Sequence, residues 1–172
     1  DSPGDDLIES AEAAVTWLLD LQNGDGGIPT FCRGWGTLPF DRSSPDLTAH
    51  TLRAWHAWEE FMSPQIQARI GRQAEAAVRF LERRQAKDGS WTPLWFGNHH
   101  VAEETNRTYG TALVTRAFQD LDGWIPAARI LAQSGRRWLE TNQNADGGWG
   151  GERDTPSSIE ETALAVDALQ SG

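Results

Sequence analysis

Apolar residues recur at helical spacing in three runs, Ala11 to Leu21, Ala74 to Arg84 and Gly135 to Asn142, with charged and amide residues between them. That spacing lays one apolar stripe along a helix that rests on a core by one face. Other runs are apolar over more of their circumference, as in Leu52-Arg53-Ala54-Trp55 and Ala163-Leu164-Ala165-Val166. Helices of that kind belong deeper in a fold. No stretch alternates with the period of two that marks a strand. Helix starts are readable. Ser44-Pro45 and Ser63-Pro64 place a capping residue before a first-turn proline, and Ser158-Ile159-Glu160-Glu161 has the form of a capping box. Six helices are predicted, over roughly 5–22, 45–61, 64–85, 107–121, 126–142 and 158–170.

The helices fall into a repeat. Gln22-Asn23-Gly24-Asp25-Gly26-Gly27-Ile28, Gln85-Ala86-Lys87-Asp88-Gly89-Ser90-Trp91 and Gln143-Asn144-Ala145-Asp146-Gly147-Gly148-Trp149 match, their glutamines 63 and 58 residues apart. Each follows an amphipathic run and precedes a Thr-Ala pair: Thr48-Ala49, Thr111-Ala112 and Thr162-Ala163. The unit is helix, Asp-Gly turn, connection, helix, because Asp-Gly provides the backbone freedom that stops a helix. A helical hairpin cannot bury its inner face alone, so hairpins stack. The expectation is an all-α chain with 1–172 as one domain of three αα-hairpins, about 5–61, 64–121 and 126–170, the second helices forming the inner layer.

Composition narrows the partners. The 172 residues carry a formal net charge of −10, which disfavours nucleic acid and an anionic membrane surface. A lone cysteine, Cys32, rules out an internal disulfide and a Cys-rich zinc site, and suits a small buried apolar role. His99-His100 with Glu103 and Glu104 lacks a third ligand type nearby, so no metal is expected. No apolar run is long enough to span a bilayer or resembles a leader. The expected location is cytoplasmic, peripheral to a membrane in a longer protein. The chain begins at Asp1 without methionine and ends just after its sixth helix, so both ends read as processing boundaries.

The motif Gln-x-x-Asp-Gly-Gly/Ser-Trp is similar to the repeated glutamine-tryptophan motif of squalene-hopene and oxidosqualene cyclases. Gly89-Ser90-Trp91 followed by Asn106 and Tyr109-Gly110-Thr111 also resembles a stretch of the hopene cyclases. The resemblance covers nearly the whole chain. It implies part, about half, of an α/α-toroid, with Gln22, Gln85, Gln143, Trp91 and Trp149 as structural staples; the first repeat carries Ile28 instead of tryptophan. It implies cyclisation of an isoprenoid, begun when a carboxylic acid protonates an alkene or epoxide, with no cofactor. The partner implied is an apolar isoprenoid, with self-association or the remaining half of the toroid completing the ring. Asp46-Leu47-Thr48-Ala49-His50 resembles the segment that holds the family's acid, which makes Asp46 the catalytic candidate. Ser44 and Leu47 stand where hopene cyclases have two further aspartates, and Asn142 where they have a histidine. His50, one turn after Asp46, is on the same helix face and is the second catalytic candidate.

Two residues before each Thr-Ala pair stand Asp46, Tyr109 and Glu160. Equivalent repeats would bring them to one end of the bundle. Trp35, Phe40, Trp55, Trp95 and Tyr109 are the candidate substrate-binding aromatics, since aromatic faces steady cations in a dry cavity; Trp91 could add another. Plainer roles stand beside these. Asp46 also suits the positive end of a helix, Glu160 a cap, and Tyr109 and the tryptophans a packed core. Other functions stay open: a relative that binds or otherwise modifies a long apolar ligand, a prenyltransferase-like toroid, for which Cys32 lacks a zinc constellation, or, by fold analogy alone, a sugar-cleaving toroid.

Overall fold

The computed structural model describes residues 3–30 and 42–170. Six helices follow one another: α1 Asp5–Leu21, α2 Pro45–Trp58, α3 Pro64–Arg84, α4 Arg107–Asp120, α5 Ala128–Thr141 and α6 Ile159–Gln170. Among the described residues the only ladder is two residues long on each side, β1 Ile28–Pro29 against β2 Ser43–Ser44. Trp149 and Ser158 form an isolated bridge at the same place in the third repeat.

The predicted starts at Pro45 and Pro64 are where α2 and α3 begin. The predicted helix 45–61 ends sooner, at Trp58, and Glu59–Phe61 tightens into a 3-10 turn. The three predicted caps differ in detail. Neither Ser44 nor Ser63 makes a side-chain cap bond, and the Ser44 hydroxyl turns to Asp46 instead. At Ser158 only half of a capping box forms. The Ser158 hydroxyl accepts from the Glu161 N–H, 3.2 Å, while the Ser158 N–H donates to the Trp149 carbonyl, 2.9 Å, and leaves the Glu161 carboxylate unneeded there.

α2 packs on α4 and α4 on α6, so the second helices form one continuous layer, backed by α1, α3 and α5. α4 touches α2, α5 and α6, which is why it buries Thr108, Thr111, Ala112, Val114, Thr115, Ala117 and Phe118 around most of its circumference. The tight connections join α2 to α3 and α4 to α5; the motif-bearing connections are the long ones. Ion pairs tie the inner layer at its far end, Arg53 Nε to Asp120 at 2.7 Å and Arg116 Nε to Asp167 at 3.3 Å. Being partly exposed, such pairs contribute at most about 1 kcal/mol each.

The three motif turns superpose bond for bond. The glutamine amide donates to the glycine carbonyl four residues on, at 2.8, 3.0 and 2.8 Å. The aspartate accepts from the N–H two residues on, at 3.0, 3.1 and 3.0 Å. Gly26, Gly89 and Gly147 hold φ near +90°, where a side chain is strained. The residue closing each motif donates its N–H to the threonine of the Thr-Ala pair: Ile28 to Thr48, Trp91 to Thr111 and Trp149 to Thr162. Those threonines therefore tie each turn to its inner helix. Trp91 and Trp149 also donate their indole N–H to Leu81 and Leu139 carbonyls, 2.8 and 2.9 Å, which Ile28 cannot do.

Candidate active site

Because each motif turn is pinned to its inner helix by a threonine, the first turns of α2, α4 and α6 lie in register at one end of the layer. Asp46, Tyr109 and Glu160 stand in those first turns. Asp46 is 2% exposed. One carboxylate oxygen accepts the Ser44 hydroxyl, and that hydroxyl in turn accepts the Leu94 N–H at 3.2 Å. The Ser44 hydroxyl and the α2 N-terminus both lie against that carboxyl.

Tyr109 is half-buried, and its backbone N–H is held at 3.0 Å by the side chain of Asn106, the N-cap of α4. Burial first, then the negative charges of Asp46 and Glu160, push its phenol up to about 12. Both carboxylates thus act on one phenol. Glu160 itself is exposed.

The segment between α3 and α4 arches beside this end of the layer, its mouth. Phe96 stacks on Tyr109, ring centres 4.4 Å apart and planes within 20°. Trp95, 45% exposed, donates its indole N–H to Thr30 at 2.6 Å. A cavity of about 590 Å³ under the arch is lined by Leu94, Trp95, Phe96, Asn98, His99 and Glu104 among others. A larger one, about 670 Å³, lies at the other end of α4 around Arg116, Asp120 and Arg136 and contains none of the candidate residues.

Glu161 anchors the arch. It is 4% exposed, and its Oε1 accepts from Asn98 Nδ2 at 3.0 Å and Asn106 Nδ2 at 2.8 Å. Sequence reasoning took Glu161 as part of a cap and did not see this role. The one available signal was Asn106, noted in the Tyr109 stretch, which the structure uses twice, once on Tyr109 and once on Glu161.

The other predicted site residues fall as follows. His50 is exposed, and no hydrogen bond joins it to Asp46. Its pKa is lowered, by partial burial and then by Arg53, against the opposing pull of Asp46. Trp55 is fully buried in the core and presents no face to a ligand, because the apolar face of α2 is turned inward between its neighbours. Trp91 is likewise fully buried. Asn142 closes α5, donating to the Trp138 carbonyl at 2.8 Å. Trp35, Phe40 and Cys32 lie outside the described residues. Among the described residues no group of three or more His, Cys, Asp or Glu side chains converges as a metal site would, and no helix is long and apolar enough to cross a membrane.

Residues 9–168 match the squalene-hopene cyclase C-terminal domain family. The chain belongs to that family. It is 33% identical to the drimenyl diphosphate synthase of Streptantibioticus cattleyicolor over 91% of its own length and 26% of that protein. It is 29% identical to the enfumafungin synthase of Hormonema carpetanum over 88% of its length and 12% of that protein. The ent-copalyl diphosphate synthase of Streptomyces platensis superposes with a TM-score of 0.68 at 27% identity, covering 88% of this chain and 25% of that one. The chain therefore spans about an eighth to a quarter of the length of these relatives. The helical array is part of an α/α-toroid of the terpene-cyclase kind.

Proposed function

We propose that this chain is the acid-bearing part of an isoprenoid cyclase, and that Asp46 is its proton donor. The observation that carries the reading is a buried carboxyl with a hydroxyl donor, at a helix N-terminus, on a mouth shared with Tyr109 and Phe96. In the step proposed, the Asp46 O–H bond breaks and a C–H bond forms at one carbon of a terminal alkene, or the proton opens an epoxide. The cation left on the neighbouring carbon is attacked by the next alkene, closing a ring. The final cation loses a proton or captures water, and the acid is restored by proton uptake. Ser44 and the α2 dipole steady the carboxylate that the transfer leaves. The stacked Tyr109 and Phe96 rings offer π-faces to the travelling positive charge. His50, one turn after Asp46 and exposed on α2, is proposed to return the proton from solvent.

The substrate class is an acyclic polyprenyl chain, as hydrocarbon, epoxide or diphosphate. Family membership supports the polyene; the family's name carries squalene, and two of the relatives' names carry a diphosphate. Incubation of the protein with squalene, oxidosqualene, and farnesyl and geranylgeranyl diphosphates, followed by mass analysis of products, tests the reading. A ring-closed isomer of one of them is expected. Tight binding of such a chain without any new product would replace cyclisation by the second reading, a relative that holds an apolar isoprenoid.

A further inference from the structure

Within a few residues the arch between α3 and α4 reaches all three repeats. The Leu94 N–H donates to the Ser44 hydroxyl at 3.2 Å, and Trp95 Nε1 to Thr30 Oγ1 at 2.6 Å, both in the first repeat. Phe96 stacks on Tyr109 of the second. Asn98 Nδ2 donates to Glu161 Oε1 of the third at 3.0 Å. Residues 94–98 therefore form a strap with a tie on each repeat.

Two of these ties end on groups of the mouth. Ser44 is the residue whose hydroxyl donates to the Asp46 carboxyl. A hydroxyl has one proton to give and lone pairs with which to accept. The Leu94 N–H occupies an accepting direction, which leaves the Ser44 proton turned to Asp46. Phe96 covers one face of the Tyr109 ring, and these are the two rings offered to the travelling positive charge.

The tie to Glu161 is the buried one. The same Oε1 that accepts from Asn98 accepts from Asn106 Nδ2 at 2.8 Å, and Asn106 holds the Tyr109 N–H on its own oxygen at 3.0 Å. One carboxylate oxygen thus fixes both sides of the stack, the strap that carries Phe96 and the helix start that carries Tyr109. The strap is closed on itself at this point. The Asn98 N–H donates to the Glu104 carbonyl at 3.3 Å, and the Val101 N–H to the Asn98 carbonyl at 3.0 Å. The third repeat also presses on it from the side: a Cβ on Gly151 would stand 2.6 Å from the Asn98 Cβ.

We infer that Glu161 is a positioning residue for the Asp46 reaction, holding the Phe96–Tyr109 stack and the Ser44 hydroxyl in place through residues 94–98. The inference rests on the cyclase reading. Placement of this kind matters to rate, because a shift of about 1 Å caused far from the chemistry costs up to about a hundredfold. It matters to outcome as well, since a cation that loses an aromatic face is quenched after fewer ring closures.

Three variants test it. Glu161→Leu removes the acceptor, Glu161→Gln keeps an oxygen in its place, and Asn98→Ala cuts the strap's tie while leaving Asn106 on Glu161. Asn98 is half-buried, so its variant carries the test if Glu161→Leu does not fold, and circular dichroism verifies helicity. Tyr109 reports on the stack without turnover. Burial first, then Asp46 and Glu160, puts its phenol at about 12, so a change at Glu161 reaches it through the stack. In Glu161→Leu and Asn98→Ala the phenol is expected to ionise nearer the ordinary value of about 10. Turnover should fall about tenfold or more, and products should shift toward fewer rings. Glu161→Gln should match the parent in all three. A phenol unmoved in both disruptive variants overturns the inference, as does an unchanged rate and product pattern where the phenol has moved. So does Glu161→Gln behaving as Glu161→Leu, because lost charge and not the lost tie would then be the cause. A parent with the raised phenol and no cyclised product sinks the cyclase reading itself, and the positioning role with it.

Discussion

A carboxylate with 2% exposure is costly unless its oxygens find donors, and Asp46 finds the Ser44 hydroxyl and the end of a helix. Tyr109 is the neighbouring group whose state can be read directly, because it is the one tyrosine in the sequence. Its phenol should remain protonated until about pH 12, against an ordinary value of about 10. Ultraviolet titration of the native protein checks this. The unfolded chain ionises first, so stability is expected to fall as pH rises from about 10. Glu160→Gln removes one of the two repelling charges and should bring the phenol down; an unchanged titration would remove Glu160 from the mouth. Asp46, Tyr109 and Glu160 were legible in the sequence because a repeat puts equivalent residues in equivalent places. Glu161 was not, because a capping-box glutamate and a buried anchor for two asparagines have the same local sequence. Trp55 was legible only as an aromatic on an apolar helix, a pattern that fits a core and a substrate cage equally.

At the scale of elements, the helices were legible almost to the residue because their ends carry backbone chemistry: proline after serine at the starts of α2 and α3, and Asp-Gly at the motif turns. The packing partner of each turn was not, since nothing local in Gln-x-x-Asp-Gly names the helix it meets. Two glycines separate these contributions. Gly147→Ala forces a side chain into left-handed backbone in open space, at a cost of about 1–2 kcal/mol. Gly26→Ala adds a collision with the Ala76 carbonyl and should cost roughly 3 kcal/mol or more. Urea unfolding compares the two; equal losses would mean that the first turn is not clamped on α3. Trp91→Phe removes the indole donor from the Leu81 carbonyl, which keeps the Gln85 N–H, a loss of about 0.5–1.5 kcal/mol.

Across the whole molecule, threonine ties hold three turns on three inner helices, and the inner layer carries that register into a shared mouth. The proposed function depends on this arrangement through Asp46; of the neighbouring carboxyls, Glu160 is exposed and Glu161 is held by Asn98 and Asn106. Asp46→Asn keeps the shape and the polar contact at the α2 start, so the fold should survive with a change of about 1 kcal/mol or less. The decisive measurement is product formation by this variant beside the parent on whichever isoprenoid the parent cyclises, with the melting temperature taken on the same samples. The account predicts turnover lost by at least about a thousandfold, in keeping with removal of the group that starts the reaction, at a nearly unchanged melting temperature. Cyclisation at the parent rate by Asp46→Asn would contradict it, and would leave Asp46 a helix-capping residue.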